Sequence, residues 1–258
     1  MKISIIGASG FIGKYLSKNM PKKFTIKKIS LRNEDLSDLK KKTIKYIFSS
    51  KVIINCAASL YPKTSNDFFL NENFLKYLLN INKRYKKKII HLSSINTLIT
   101  DRIDRYSLTK KYSESGIENN KNLTIIRLPL VIERKKGILL PKGNVSKLFS
   151  YLKKVRLPIY PMIYPGHIYQ PIEIGILRNR IIKIIKKNKN TNAINLVGDK
   201  KISLYNLFEE ISDLRKKKII KIDLRCLYKF LPFFIKNFIK KQNNFIQQIS
   251  SIDHSRFK

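Results

Sequence analysis

The stretch that decides the fold is SIIGASGFIGKYL, Ser4 to Leu16. An apolar, β-favouring run enters three glycines at three-residue spacing, Gly7, Gly10 and Gly13, and leaves as a helix-forming segment. Gly7 permits a tight turn out of the strand, Gly10 lets the backbone approach a pyrophosphate, and Gly13 lets the helix pack closely on the sheet. The helix start adds unpaired amides and the positive end of its dipole. Ser9, Phe11 and Ile12 lie among these glycines and belong to the same candidate dinucleotide cradle.

Outward from this loop, short apolar runs alternate with amphipathic ones. Strands are expected at about 2–6, 24–31, 51–55, 88–93 and 123–128, with helices near 11–20, 37–48, 66–84 and 104–118. Nearly continuous apolar strands (VIIN, KIIHL, LTIIRL) imply a parallel sheet covered on both faces. Right-handed crossovers then make a doubly wound, Rossmann-like α/β sheet. Only one helix fits between the second strand and VIIN, so the sheet is expected to lack one strand-helix unit. From Pro129 prolines crowd the chain as far as Pro171, which reads as irregular backbone around one helix near 144–154. A helix at roughly 172–188, a short strand AINLV and a helix near 203–214 follow. The expected division is a dinucleotide-binding domain over 1–138, with 172–200 returning to it, and a small C-terminal substrate lobe of 139–171 and 201–258. The tail LYKFLPFFIKNFIKKQNNFIQQ reads as a lobe helix pair with its aromatics inward; peripheral contact with lipid is the sharper alternative.

The charge points elsewhere, with 54 Lys and Arg against 17 Asp and Glu, a formal +37. Yet 42 of the basic residues are Lys and 12 are Arg, whereas a dedicated nucleic-acid surface favours Arg for bidentate contacts. The abundant residue types share AT-rich codons, which suggests compositional drift. The Lys triplets at 86–88 and 216–218 sit between a helix and the next strand, where they complement a helix C-terminus on the rim opposite the ligand side. A solvated face is therefore the preferred reading, and nucleic acid is disfavoured as a partner. No apolar run approaches the roughly 18 residues of a membrane span, and there is no signal-length h-region. Cys56 and Cys226 give neither a disulfide framework nor metal-ligand spacing, so no metal is expected and the expected compartment is the cytoplasm.

The candidate chemistry lies at the strand ends. INCAAS closes one strand with small residues, Cys56, Ala57 and Ala58, where bulk would collide with a bound cofactor. HLSS ends another with hydroxyls, and YSLTK places Tyr106 and Lys110 four apart, on one helix face. A phenol with pKa near 10 needs a neighbouring ammonium to reach the working range of an acid-base catalyst.

Together, GASGFIG, NCAAS, LNENFLKYLLN, HLSS, YSLTK and RLPLVIE resemble the extended short-chain dehydrogenase/reductases of the NAD-dependent epimerase/dehydratase group, from Lys2 to about Val197. The resemblance implies hydride movement at a hydroxyl or keto carbon of a nucleotide-linked sugar, by a reductase or an epimerase. It implies Tyr106 as general acid/base, Lys110 on the nicotinamide ribose, Ser94 bonded to the reacting oxygen, and Asn71 ordering the site, with Asn73 as competitor. Glu133 stands where the family has glycine. The spacing from Ser94 to Tyr106 is short, and the abbreviated sheet is similar to that of the family's sugar-nucleotide 4-ketoreductases. Arg32 stands where an acid would select NAD, so the balance tips toward NADP(H); Glu34 would support NAD(H), and Asp35 and Leu36 would lie against adenine.

KGNVSKLFSYLKKVRLPIYP and SIDHSRFK resemble the substrate segments of bacterial sugar-nucleotide enzymes, and a basic lobe near Lys142, Asn144, Lys154 or Arg156 would suit a diphosphate. His167, in the Pro/Gly loop expected to face the cleft, is a further substrate candidate. The partners this implies are a nucleotide sugar and a second copy in a homodimer. Two other readings stay open: a non-catalytic binding protein, as an RNA-binding or assembly factor, and a reductase of a non-sugar carbonyl.

Overall fold

A computed structural model of the chain describes residues 1–31, 34–100, 103–117, 120–154, 159–164, 168–187, 193–213 and 218–223. The first half alternates strand and helix: β1 (Lys2–Ile6), α1 (Phe11–Asn19), β2 (Thr25–Ile29), α2 (Lys41–Phe48), β3 (Val52–Asn55), α3 (Ser65–Glu72), α4 (Phe74–Tyr85), β4 (Lys88–Ser94), α5 (Arg105–Glu114) and β5 (Leu123–Leu128). A 3-10 turn, Ile95–Leu98, follows β4. Then come β6 (Val131–Ile132), β7 (Arg134–Lys135), β8 (Ile138–Leu139), α6 (Val145–Lys154), β9 (Ile159–Tyr164), β10 (Ile168–Tyr169) and β11 (Ile172–Glu173). Next are α7 (Ile174–Lys186), β12 (Ala193–Asn195), β13 (Ile202–Ser203), α8 (Leu204–Asp213) and β14 (Lys218–Asp223). The chain divides into two compact units: Met1–Leu128 with Ile174–Leu196, and Pro129–Glu173 with the described residues from Val197 on.

The first unit is built on a 6-stranded sheet in the order β12-β5-β4-β3-β1-β2, with every pair parallel. The order reverses between β1 and β3, which makes their C-terminal ends the ligand-binding switch point of an open α/β sheet. A single helix, α2, joins β2 to β3 and β2 forms the edge, so the sheet is a doubly wound Rossmann-like one shortened by a strand-helix unit on that side.

Period-two alternation divides the strand residues between two buried faces. On one face Ile6, Ile29, Ile53, Ile89, Leu123 and Ile125 pack with Ile47 and Phe48 of α2 and Phe74, Leu75 and Leu78 of α4. The alternate residues Ile5, Ile54, Ile90 and Ile126 are as deeply buried and face the other side. The remaining long helices of this unit, α1 and α7, pack together, with Leu16, Leu177 and Ile181 buried.

In the second unit Ile132, Leu139, Val145, Phe149, Leu207, Phe208 and Ile211 form a small core. Arg134 ties it at the edge by an ion pair to Glu210 at 2.7 Å. The expectation of irregular chain over 129–171 needs correction. This region contributes a β7–β8 hairpin, parallel pairs β6–β11 and β9–β14, and an antiparallel β10–β13 pair. Most of these runs are two residues long, too short for a periodicity to show. Pro161 had argued against a strand in IYPMIY, yet a two-stranded ribbon leaves one side of each strand unpaired and so tolerates proline.

The single helix expected over 66–84 is two helices, broken where Asn73 opens to φ −107°. Arg32, Arg156, His167, Cys226, the aromatic and lysine-rich tail and SIDHSRFK lie outside the described residues. Among the described residues no helix is long and apolar enough to cross a membrane.

The joint between α4 and β4 is fixed by the buried side chain of Asn82, which accepts from Lys87 N at 2.7 Å and donates to Lys87 O at 2.8 Å. This geometry forces Lys86 into the left-handed region, at φ 52°. A side chain there costs about 1 kcal/mol that glycine does not. Lys86→Gly is therefore expected to stabilise the protein by up to about 1 kcal/mol, read as a higher midpoint in urea unfolding.

Candidate active site

The glycine loop is backbone packed on backbone. Gly7 has φ +77°, and its N–H and that of Ala8 both donate to Ile29 O at the end of β2, at 3.0 and 3.1 Å. A Cβ on Gly7 would lie 2.8 Å from Ala57 N, and one on Gly13 would lie 2.2 Å from Gly7 O. The closest approach at Gly13 is thus to the loop's own carbonyl, which folds the first turn of α1 back on the strand exit. Gly10 differs: a Cβ there would meet Gly7 O at an ordinary 3.4 Å. It caps α1 with no side-chain hydrogen bond, so the cap takes up none of the first amides. Ser9 and Gly10 are exposed, Phe11 and Ile12 half-buried. Beside this turn Cys56 is partly buried, Ala57 buried and Ala58 exposed, which leaves the end of β3 without bulk. The Cys56 thiol is free and burial pushes its pKa up to about 12, against the pull of Lys110, so it is protonated at neutral pH.

A polar strip runs beneath α5 on a sheet face that is otherwise aliphatic. The register aligns Asn55 with His91, and Ser93 with Arg127; Asn55, His91 and Arg127 each lie two residues beyond an inward-facing isoleucine, and Ser93 lies two beyond His91. Asn55 Oδ1 accepts from Ala57 N, so its Nδ2 donates to His91 Nδ1 at 3.1 Å. That pairing leaves His91 as the neutral Nε2–H tautomer, in keeping with a pKa driven well below the ordinary value by burial and then by Lys110. Glu114 accepts from Ser93 Oγ at 2.5 Å and from Arg127 Nε and Nη2 at 2.8 and 2.6 Å.

Helix α5 starts at Asp104, whose carboxylate accepts from both Ser107 N and Ser107 Oγ. The helix packs on α3, β4 and the 3-10 turn. Tyr106 is half-buried, and Lys110, one turn on, is wholly buried. Lys110 Nζ has no hydrogen-bond partner among the described residues. Burial lowers its pKa from 10.5 to about 8, with Glu114 and then Cys56 opposing, so it is an ammonium at neutral pH.

Ser94 ends β4, the strand on which α5 packs. Its Oγ accepts from Asn96 N, and its own hydroxyl hydrogen goes to no described residue. Lys111 Nζ donates to Ile99 O and Thr100 O, fastening the short Ser94–Tyr106 connection to α5. Asn71 is buried while Asn73 is exposed. The Asn71 amide accepts from Ser59 N and donates to Ser59 O and Thr109 Oγ1, so it joins α3, the loop after β3 and α5.

On the adenine side, Asp35 is exposed and accepts from Ser37 N and Oγ, whereas Leu36 is buried in the core with Ile29 and Leu39. Glu34 accepts from Thr43 through Oε1, and its buried Oε2 has no hydrogen-bond partner among the described residues. In the second unit Lys142 is paired with Glu133 at 2.7 Å. Asn144 and Lys154 are exposed. Among the described residues no group of three or more His, Cys, Asp or Glu could hold a metal ion.

No protein-family model matches the sequence, and no curated protein does. Solved structures do match. The dTDP-4-dehydrorhamnose reductase of Clostridium acetobutylicum ATCC 824 aligns at a TM-score of 0.68 and 19% identity, over 86% of this chain and 84% of that one. The reductase of the same name from Bacillus anthracis str. Ames, in complex with NADP, aligns at 0.67 and 16%, over 86% and 84%. The UDP-glucuronic acid 4-epimerase of Bacillus cereus, in complex with NAD, aligns at 0.65 and 17%, over 87% and 86%. The chain shares the Rossmann-like α/β fold of these structures.

Within that fold, sequence reading picked out Tyr106, Lys110, Ser94 and the glycines but not Asn55, Ser93, Glu114 or Arg127 as site residues. A signal was present. Asn55, Ser93 and Arg127 are polar at core-facing strand positions, and Glu114 follows Lys110 by four residues, on its face.

The glycines separate by experiment. Gly13→Ala is expected to cost about 2–4 kcal/mol in urea unfolding, because its Cβ would overlap backbone. Gly10→Ala should change stability by less than about 1 kcal/mol.

Proposed function

We propose that the chain is a nicotinamide-dinucleotide-dependent oxidoreductase or epimerase acting at a hydroxyl or keto carbon of a nucleotide-linked sugar. The observation that carries this reading is the Lys110 ammonium, wholly buried, without a hydrogen-bond partner among the described residues, and one helical turn from Tyr106. Burying such a charge costs several kcal/mol, and a ligand offering hydroxyl acceptors, such as a ribose, would recover part of that cost. The uncapped start of α1 and the small residues after β3 fit the rest of a dinucleotide.

In this reading the amides of α1 hold the pyrophosphate and Lys110 donates to the nicotinamide ribose. The bound nicotinamide supplies hydride exchange at its C4. Tyr106 gives or takes the proton at the substrate oxygen, its phenolate favoured by the Lys110 charge. Ser94 donates its uncommitted hydroxyl hydrogen to the same oxygen. Asn71, with its amide fully used by Ser59 and Thr109, acts as a strut that holds α5.

Matching structures were solved with NADP, NADPH or NAD. Arg32 favours a 2′-phosphate and thus NADP(H), while the Glu34 oxygen that has no partner among the described residues favours a ribose hydroxyl and NAD(H). Comparing NADPH and NADH titrations decides between them. The second unit is our candidate for recognition of the nucleotide sugar, a reading supported by the UDP-glucose and NAD complex of the matching MoeE5.

Tyr106→Phe is expected to lower kcat on a panel of keto-sugar nucleotides at least about 100-fold, with NAD(P)H affinity within a few-fold of wild type. Equal NAD(P)H consumption by both proteins would refute the assignment. Gly10→Ala should remain folded yet bind the dinucleotide at least about tenfold more weakly, measured by nicotinamide fluorescence.

A further inference from the structure

The Glu114 carboxylate is fully engaged, by Ser93 Oγ on one oxygen and by the Arg127 guanidinium on the other. It lies one helical turn beyond Lys110 on the same face of α5, yet it makes neither an ion pair nor a hydrogen bond with that ammonium. The two side chains could have collapsed together, since i and i+4 neighbours of opposite charge on a helix commonly do. Had they done so, the donors of Lys110 would be spent on Glu114. Ser93 from β4 and Arg127 from β5 hold the carboxylate back instead.

We propose that Glu114 is a positioning residue: clamped by Ser93 and Arg127, it supplies the negative field that keeps the buried Lys110 ammonium protonated while leaving its donors to a ligand. The other groups around Lys110 cannot do this. Cys56, after β3, is a protonated thiol, and His91, on β4, is neutral. Tyr106 is the neighbour one turn back on α5. From α3 the group facing α5 is the neutral amide of Asn71, and from α4 Lys76 reaches only Ser115 at the far end of the helix. Glu114 is thus the group whose charge opposes the burial of Lys110 at neutral pH. The sign follows. With the carboxylate neutralised, burial acts unopposed and the ammonium loses its proton at lower pH.

The proposal rests on reading Lys110 as the ligand-holding amine, but its test needs no turnover. In the full chain without cofactor, the Lys110 side chain is followed by NMR of its ¹³Cε as pH is varied, with the signal assigned by its loss in Lys110→Arg. Glu114→Gln is expected to move the midpoint about one pH unit or more to the acid side, and Glu114→Asp, which keeps the charge, to restore it to within a few tenths. An unchanged midpoint in Glu114→Gln, or an equal shift in Glu114→Asp, would overturn the proposal. Should Glu114→Gln fail to fold with Arg127 unpaired, the double variant Glu114→Gln/Arg127→Met replaces the whole pair. An acid-side shift there supports the proposal, and none refutes it. Titrating NADPH into wild type and Lys110→Met tests the functional reading separately. A moved midpoint without binding of NADPH or, in a parallel titration, of NADH would uphold the role of Glu114 and sink the enzyme assignment.

Discussion

A lysine ammonium shut away from water imposes conditions on everything around it. The fall of the Lys110 pKa from 10.5 to about 8 corresponds to roughly 3 kcal/mol against the charged form. That deficit persists only because α5 is held firmly over the C-terminal ends of β3, β4 and β5. Asp104 sets where the helix begins, Asn71 grips it at Thr109, and Lys111 ties it to Ile99 and Thr100. Each of these contacts uses a polar side chain to fix backbone, so the helix is located by geometry that apolar packing alone would leave adjustable. A buried donor with no partner among the described residues is the kind of group that an acceptor from outside the chain can satisfy.

The glycine loop obeys a different constraint, that of space. Gly7 and Gly13 are required by the fold itself: the backbone of Ala57 and the carbonyl of Gly7 leave no volume for a β-carbon. Gly10 is under no such demand, and its bare approach to the start of α1 has meaning only if something else comes close. Three residues of one type in one motif therefore do unlike work. The fold needs two of them, and the proposed function accounts for the third.

Much of the first unit was legible because parallel strands buried on both faces leave a strong mark, an aliphatic run of four to six residues ending in small or polar ones. VIIN, KIIHL and LTIIRL carry that mark, and the strand order follows from crossover handedness. The second unit was not legible, because its strands are mostly two residues long and the longest contains Pro161. At the site, Tyr106 and Lys110 stood out by their spacing on one helix face. The Ser93–Glu114–Arg127 cluster was missed for a physical reason: its members lie on three elements, and only the parallel register brings Ser93 beside Arg127. Neither Ser93 nor Arg127 says anything until the alternation of its strand is read as inward-facing.

The same strand logic bears on the excess of lysine. Several lysines that count toward the +37 serve the fold. Lys88 reaches from β4 to Ile184 O and Lys187 O at the C-terminus of α7, and Lys142 balances Glu133. Lys27 donates to Ser49 Oγ from edge strand β2 and lies over the Tyr46 ring at 4.5 Å. Lysines between a helix and the next strand are expected to complement the helix preceding them, yet Lys88 reaches a helix distant in sequence. Lysine on an edge strand also discourages pairing with another sheet, which matters where β2 has lost its usual outer neighbour. Charge put to these local uses is spread over separate elements. A nucleic-acid groove instead needs its cations gathered along one track and favours Arg among them.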